Sequence, residues 1–326
     1  MSLVDASLVE PVREKLEALE EAFRQELRSD VPIISEIYAH ITRQSGKRVR
    51  PTLLLLCADL AGYGGDGDVN LGVVVEFIHT ATLIHDDIID NAEVRRGQRS
   101  VNAIWDNNVT VLLGDYLYVK SMQLALREDS LRILDILTRT TMTMVEGELI
   151  ELAVSGDLGI ATHAYLDVVR RKTADLFGTC GRLAGVLARL DAEREEALAD
   201  YGSNVGMAFQ LVDDMLDFVG DETKLGKPVV NDLIEGKVTL PVILLLERVA
   251  PAEAELVRGI VARREVTPEE QARLLELFET HGTLQATYRL AAEYGRRALK
   301  SLAMFEDTPA RRVLEKVPDL LLGRRF

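Results

Sequence analysis

The 326-residue chain reads as an all-α protein, a single domain over residues 1–326 built as a bundle of about ten or more helices around a deep central cavity. Three observations predict this class. Apolar residues recur at helical spacing along nearly the whole chain, and no stretch alternates with the period of two that a half-buried strand requires. Hydrophobic residues make up 47% of the sequence, enough for a large core at this length. Finally, one acidic pattern closes two apolar helical runs that lie far apart in sequence, so both runs belong to one cavity.

The elements follow in order. Residues 6–27 form an amphipathic helix with Leu8, Val12, Leu16, Leu19 and Phe23 at helical spacing. Asp30 to Pro32 breaks it, and 33–41 resumes a helical pattern. Ser45-Gly46-Lys47-Arg48-Val49-Arg50-Pro51 places three cations within four residues, with a glycine for close backbone approach and a proline suited to the first turn of helix 52–60. Either an anion sits at that helix start or the segment is an exposed basic loop. Residues 62–68 are a glycine-rich connector without phosphate-loop spacing.

A long apolar helix then runs from about Leu71 to Asp90, and Arg95-Arg96-Gly97 lie one or two turns beyond. That arginine pair either neutralises the acidic helix end or holds two different phosphates. Helices 109–127 and 130–152 carry Gly114 and Gly147 as close-packing points. Helix 165–190 bears Arg170, Arg171, Lys172 and Thr173 ahead of a small-residue stretch, and helix 193–218 ends in the second acidic pattern. A Gly/Lys-rich region follows, with Lys224 to Pro228 and Glu235 to Lys237. Residues 238–249 are a helix interrupted by Pro241, and 251–264 are another. Thr267-Pro268-Glu269-Glu270 is a capping box leading into 271–278, Gly282 closes that helix, and 284–305 is the last long one.

The chemistry concentrates in the two acidic patterns. In Ile84-His85-Asp86-Asp87-Ile88-Ile89-Asp90, Asp86 and Asp90 stand one helical turn apart with Asp87 beside them. Asp213-Asp214-Met215-Leu216-Asp217 repeats the spacing. Crowded carboxylates next to apolar helix surface repel each other and resist desolvation, so a cation belongs there. One such triplet could be a solvated helix end; two copies facing each other form an oxygen-rich cage suited to Mg²⁺ and a diphosphate.

Composition excludes several classes. A net charge of −15 and only 5% aromatic residues argue against a nucleic-acid partner. Cys57 and Cys180 both lie in apolar helical stretches and read as buried free thiols, which implies a reducing compartment and a cytoplasmic location. Glu10, Glu14 and Glu17 occupy the place of a signal-peptide core. Glu76, His79, His85 and the aspartates exclude residues 71–89 as a transmembrane span.

These motifs together resemble those of the trans-isoprenyl diphosphate synthases, the polyprenyl synthetase family, from the first helix to about Thr308. The matching segments are GKRVRP at 46–51, HDDIID at 85–90 with RRG at 95–97, KTADL at 172–176, FQLVDDMLD at 209–217, GKP at 226–228 and EGKVTLP at 235–241. Residues 77–84 look most like the long-chain bacterial octaprenyl and solanesyl synthases. The resemblance implies an isoprenoid-synthase fold, a homodimer, and condensation of isopentenyl diphosphate with an allylic diphosphate to a long all-trans product.

It further implies that Gly46, Lys47, Arg50, His79 and Arg96 hold isopentenyl diphosphate. Three Mg²⁺ would join the allylic diphosphate to Asp86, Asp90 and Asp213, with Asp87, Asp214 and Asp217 as further carboxylates. Arg95, Lys172, Lys237 and Lys227 would contact that diphosphate, and Thr173 and Gln210 would turn oxygens toward the reacting carbons. Phe77, Ile78, Ala81 and Thr82 would set chain length, and the small Ala81 and Thr82, one to two turns before Asp86, imply an open floor. A short-chain synthase and a non-catalytic subunit of a heteromeric synthase are the alternatives. The subunit is disfavoured because no aspartate or lysine of these motifs is missing. A transient membrane contact for product release is compatible with either enzyme.

Two positions depart from the family pattern. Glu151 stands where relatives carry glutamine in E-G-E-x-x-Q, and Val229-Val230-Asn231 replaces a glycine-containing loop.

Overall fold

The computed structural model describes residues 9–43, 48–95, 97–219 and 230–323. A single 3-10 turn at Glu10–Val12 leads into α1 (Arg13–Glu26). There follow α2 (Pro32–Arg43), α3 (Val49–Leu60), α4 (Gly67–Ile89), α5 (Val101–Ala125) and α6 (Leu131–Val154). Next, α7 (Thr162–Val169) continues through a wide turn at Arg170–Ala174 into α8 (Asp175–Leu187), and α9 (Ala192–Val219) comes after it. The chain finishes with α10 (Asn231–Ile234), α11 (Leu240–Leu246), α12 (Pro251–Arg263), α13 (Pro268–His281), α14 (Thr283–Ser301) and α15 (Pro309–Leu322).

The all-α expectation holds, and α9 explains how the bundle is organised. Its first half contributes Leu198, Tyr201 and Val205 to an apolar cluster with Phe23, Phe77 and Phe177. Its second half contributes Leu211, Val212 and Phe218 to another cluster with Ile243, Ile260 and Phe278. Small residues let α9 touch α8 and the turn before it: a Cβ on Gly178 would meet the Ala199 carbonyl at 3.2 Å, and one on Gly206 would meet Ala174 Cα at 2.7 Å. Helix α4 has the length and hydropathy of a membrane span, but it is a core helix, packed on α1, α3, α5 and α8.

Several expectations need correction. Val94–Arg95 and Gln98–Arg99 pair as a minimal antiparallel hairpin turning at Gly97, whose φ is +74°. Two residues per strand are too few to show alternation in sequence. Helix α5 begins at Val101 rather than 109, because Asp106 (φ +72°) breaks it and then accepts from the N–H groups of Asn108 and Val109 at 2.8 and 3.1 Å, restarting the helix. Pro241 opens α11 instead of interrupting it, since a first-turn N–H has no partner to lose. The last helix is α15: Thr308 caps it by accepting from Arg311 N–H at 3.1 Å, and Pro318 inside it hides the pattern. The capping box at Thr267 and Glu270 forms as expected, with bonds of 3.2 and 3.0 Å.

Candidate active site

The first acidic triplet sits where α4 runs out, Asp90 being its C-terminal cap residue. Its members diverge. Asp87 is buried and accepts from Arg95 Nε at 2.5 Å, so the hairpin is pinned to α4. Asp86 stays partly accessible; burial, then the nearby Glu148, push its carboxyl up to about 7, with Lys172 pulling the other way. Asp90 meets the Lys237 ammonium at 2.9 Å, and that ammonium also pairs with Glu235 at 2.8 Å. Burial opposes the Lys237 charge, but the two carboxylates outweigh it and raise its pKa.

Between the acidic motifs lies the wide turn at Arg170–Ala174, a π-helix closed by the bond from Asp175 N–H to the Arg170 carbonyl. Such insertions re-aim side chains without ending a helix. Here neighbouring residues serve opposite walls. Lys172 reaches back to α6, bonding Glu148 at 2.7 Å and Glu151 as well. Burial lowers the Lys172 ammonium while Glu151 and Glu148 more than offset it, to about 12. Thr173 reaches to α9, donating to Gln210 Oε1 at 3.0 Å. The turn fits against α6 only because Gly147 has no side chain; a Cβ there would stand 2.7 Å from Arg171 Cβ and 3.1 Å from Lys172 Cγ.

The second triplet, on α9, is more deeply set. Asp214 accepts from Gln210 Nε2 at 2.8 Å and from the Tyr165 hydroxyl; burial, then Asp232, push its carboxyl up to about 8. Asp217 is 1% exposed and accepts from Asp232 N–H at 3.0 Å, which caps α10. Only Asp213 is exposed. Residue Val230, the N-cap of α10, holds φ +66°, a conformation a β-branched side chain resists, and its N–H donates to the Asp217 carbonyl at 2.7 Å.

The basic pocket is partly described. Arg50 donates to His79 Nε2 at 3.0 Å and lies over the Phe177 ring at 4.6 Å, so two of the residues expected there are together. Gly46, Lys47, Arg96 and Lys227 lie outside the described residues. Arg48 is not part of an anion site: it turns inward, pairs with Glu20 at 2.8 Å and Glu76 at 2.7 Å, and caps the Phe23 ring at 4.0 Å. Its left-handed backbone (φ +45°) performs that inversion, and sequence offers no sign of it.

Of the chain-length candidates, Ile78 and Ala81 are buried and Thr82 is half-buried. Phe77 is fully buried and packs edge-on against Phe23 of α1, centroids 5.0 Å apart. His85 abuts Gly114 of α5. His40 Nε2 lies 2.8 Å from the Arg99 carbonyl and its ring packs on Trp105, tying α2 to the hairpin.

The donor set fits a hard cation shared with a ligand. Asp87, Asp214 and Asp217 are buried against protein donors, whereas Asp86, Asp90 and Asp213 keep accessible oxygens that suit a cation, Asp90 on release from Lys237. Among the described residues no three acidic or histidine side chains converge on a ready-made metal site. Phosphate oxygens of a bound diphosphate would complete the shell, as Mg²⁺ permits.

Comparison with known proteins agrees with this geometry. The polyprenyl synthetase family model matches residues 31–278. Octaprenyl diphosphate synthase of Escherichia coli (strain K12) is 36% identical over 297 residues, 90% of each chain. A polyprenyl synthase from Caulobacter crescentus CB15, solved with calcium and isoprenyl diphosphate, is 39% identical and superposes with a TM-score of 0.93 over 98% of both chains. A decaprenyl diphosphate synthase from Rhodobacter capsulatus is 36% identical, with a TM-score of 0.92 over 97% of this chain and 98% of that one. With the fold shared end to end and the acidic motifs set around a lysine–threonine turn, the chain belongs to the polyprenyl synthetase family.

Proposed function

We propose that this protein is a trans-polyprenyl diphosphate synthase that adds isopentenyl diphosphate head-to-tail to an allylic diphosphate and makes a long-chain product. The observation that carries the reading is the π-turn, which sets Lys172 on the α4–α6 side and Thr173 on the α9 side of one space. Lys172, Lys237 and Arg95 grip the allylic diphosphate, releasing the carboxylates they now hold. Asp86, Asp90 and Asp213 would hold magnesium, three ions by the family resemblance, which would supply positive charge against the leaving diphosphate. Thr173 and Gln210 direct oxygen dipoles at the carbon that becomes positive, and the apolar walls keep water from it. Arg50 and His79 seat the second diphosphate, so that its alkene reaches that carbon. The new carbon–carbon bond forms there, and the departing pyrophosphate takes the proton released.

The chain is proposed to form one domain and to pair with a second copy. An apolar stripe of Met142, Val145, Leu149 and Leu152 on α6 and Leu112 and Val119 on α5, 47–67% exposed, supports that pairing. Buried free thiols at Cys57 and Cys180 support a reducing, cytoplasmic setting.

Incubating the purified chain with farnesyl diphosphate, labelled isopentenyl diphosphate and Mg²⁺ tests the reading. Label in polyprenyl products longer than the primer is expected. No elongation by the chain alone would favour a non-catalytic subunit, and a geranylgeranyl end product would favour a short-chain synthase.

A further inference from the structure

The hydrogen bonds behind the two cavity oxygens converge on Asp214, whose other oxygen is held by a residue outside the catalytic set. Tyr165 on α7 is 6% exposed. Its phenol donates to Asp214 Oδ2, and its oxygen lies against the backbone N–H of Leu240 at the start of α11. The other oxygen of Asp214 accepts from Gln210 Nε2 at 2.8 Å. That bond turns the amide nitrogen inward and leaves the Gln210 carbonyl to accept from Thr173 Oγ1 at 3.0 Å. A hydroxyl has one proton. With that proton given to Gln210, Thr173 can present only lone pairs to any further neighbour.

We infer that Tyr165 is a positioning residue for ionisation of the allylic substrate: through Asp214 and Gln210 it fixes the Thr173 hydroxyl as an acceptor, with its negative end toward the carbon that becomes positive. The inference rests on the prenyl-transfer reading and adds the polarity of the site to it. A preset dipole stabilises developing charge without reorganising during reaction. Remove the phenol and Asp214 loses its tie to α7; its carboxylate can swing from Gln210, and the amide loses the partner that keeps its nitrogen inward. The diphosphates are gripped elsewhere, by Lys172, Lys237, Arg95, Arg50 and His79. The loss therefore belongs in kcat and not in KM.

Tyr165→Phe, checked for folding by circular dichroism, is the first test. Its kcat should fall on the order of 10- to 100-fold, with both KM values within about twofold of the parent. Thr173→Val should show a similar fall and Thr173→Ser should retain most activity. Because Tyr165 and Thr173 act along one chain of hydrogen bonds, adding Tyr165→Phe to Thr173→Val should cost less than about twofold more. A Tyr165→Phe enzyme with parental kcat, or a fully multiplicative loss in the double variant, would overturn the inference.

If Tyr165→Phe does not fold, Asp214→Asn replaces it. The tyrosine bond then fixes the Asn oxygen, so its NH₂ faces Gln210, turns that amide over and points the Thr173 proton outward. Its kcat should drop below that of Thr173→Val; a value at or above it would overturn the inference. A parent chain that elongates nothing refutes the underlying function, whereas an active parent with an indifferent Tyr165→Phe refutes only the role of Tyr165.

Discussion

The two acidic triplets share a spacing and meet different fates, and the difference lies in what surrounds each helix. The first stands at the end of α4, where Asp87 is buried against Arg95, Asp90 meets Lys237, and Asp86 and Asp90 remain partly exposed. The second lies within α9, one of the bundle's shared beams, and two of its three carboxylates are 1% and 4% exposed. One triplet keeps two partly exposed carboxylates at the site; the other mostly organises the protein, with Asp213 as its outward member. Sequence spacing alone assigns both the same chemistry.

Substitution at Asp86 and Asp217 should break the symmetry most plainly. The Asp86 carboxyl is raised to about 7, chiefly by burial and next by Glu148. A raised carboxyl weakens the fold as pH climbs from the unfolded value of about 4 to 7, and the penalty is complete above that. Asp86→Asn should therefore raise Tm at pH 8, leave it unchanged at pH 4, and slow elongation about 10³-fold. Asp217→Ala removes the cap on α10 and should instead cost about 1 kcal/mol in a denaturant titration while sparing more activity. Equal Tm changes in the two variants would refute the contrast.

Product analysis separates the two sides next. Ala81→Tyr on α4 should shorten the polyprenyl product by several units, whereas enlarging the core residue Leu211 on α9 should lower stability and leave chain length alone. Gly147→Ala is expected to cost roughly 1–3 kcal/mol and raise the allylic KM, because the new methyl displaces the turn that carries Lys172. Smallest is Glu151→Gln. Freeing Lys172 from one of its two carboxylates should lower the allylic KM about two- to fivefold, readable in initial rates.

What sequence made legible was whatever recurs locally: helical spacing, the Thr267 capping box, the close approach at Gly114 and Gly147, and the acidic and lysine motifs. What it hid depends on partners distant in the chain or on backbone geometry. Tyr165 has no motif of its own and gains meaning only against Asp214 on α9. Arg48 reads as one more cation beside Lys47 and Arg50 until its left-handed backbone turns it toward Glu76. Val230 was visible as a departure in composition, but the positive φ that makes it costly could not be read from residue type. Helix α15 was missed because an internal proline normally argues against a helix.

The π-turn also sets a phase relation along the chain. Each α-helical residue advances the rotation by about 100°, so the extra residue at Arg170–Ala174 offsets everything downstream by roughly that angle. The glycine seam of α8, at 178, 181 and 185, meets α9 only in the offset setting. Deleting one residue from the turn would regularise the backbone locally and aim the seam away from α9, so an apparently simpler helix would encode a bundle that no longer closes.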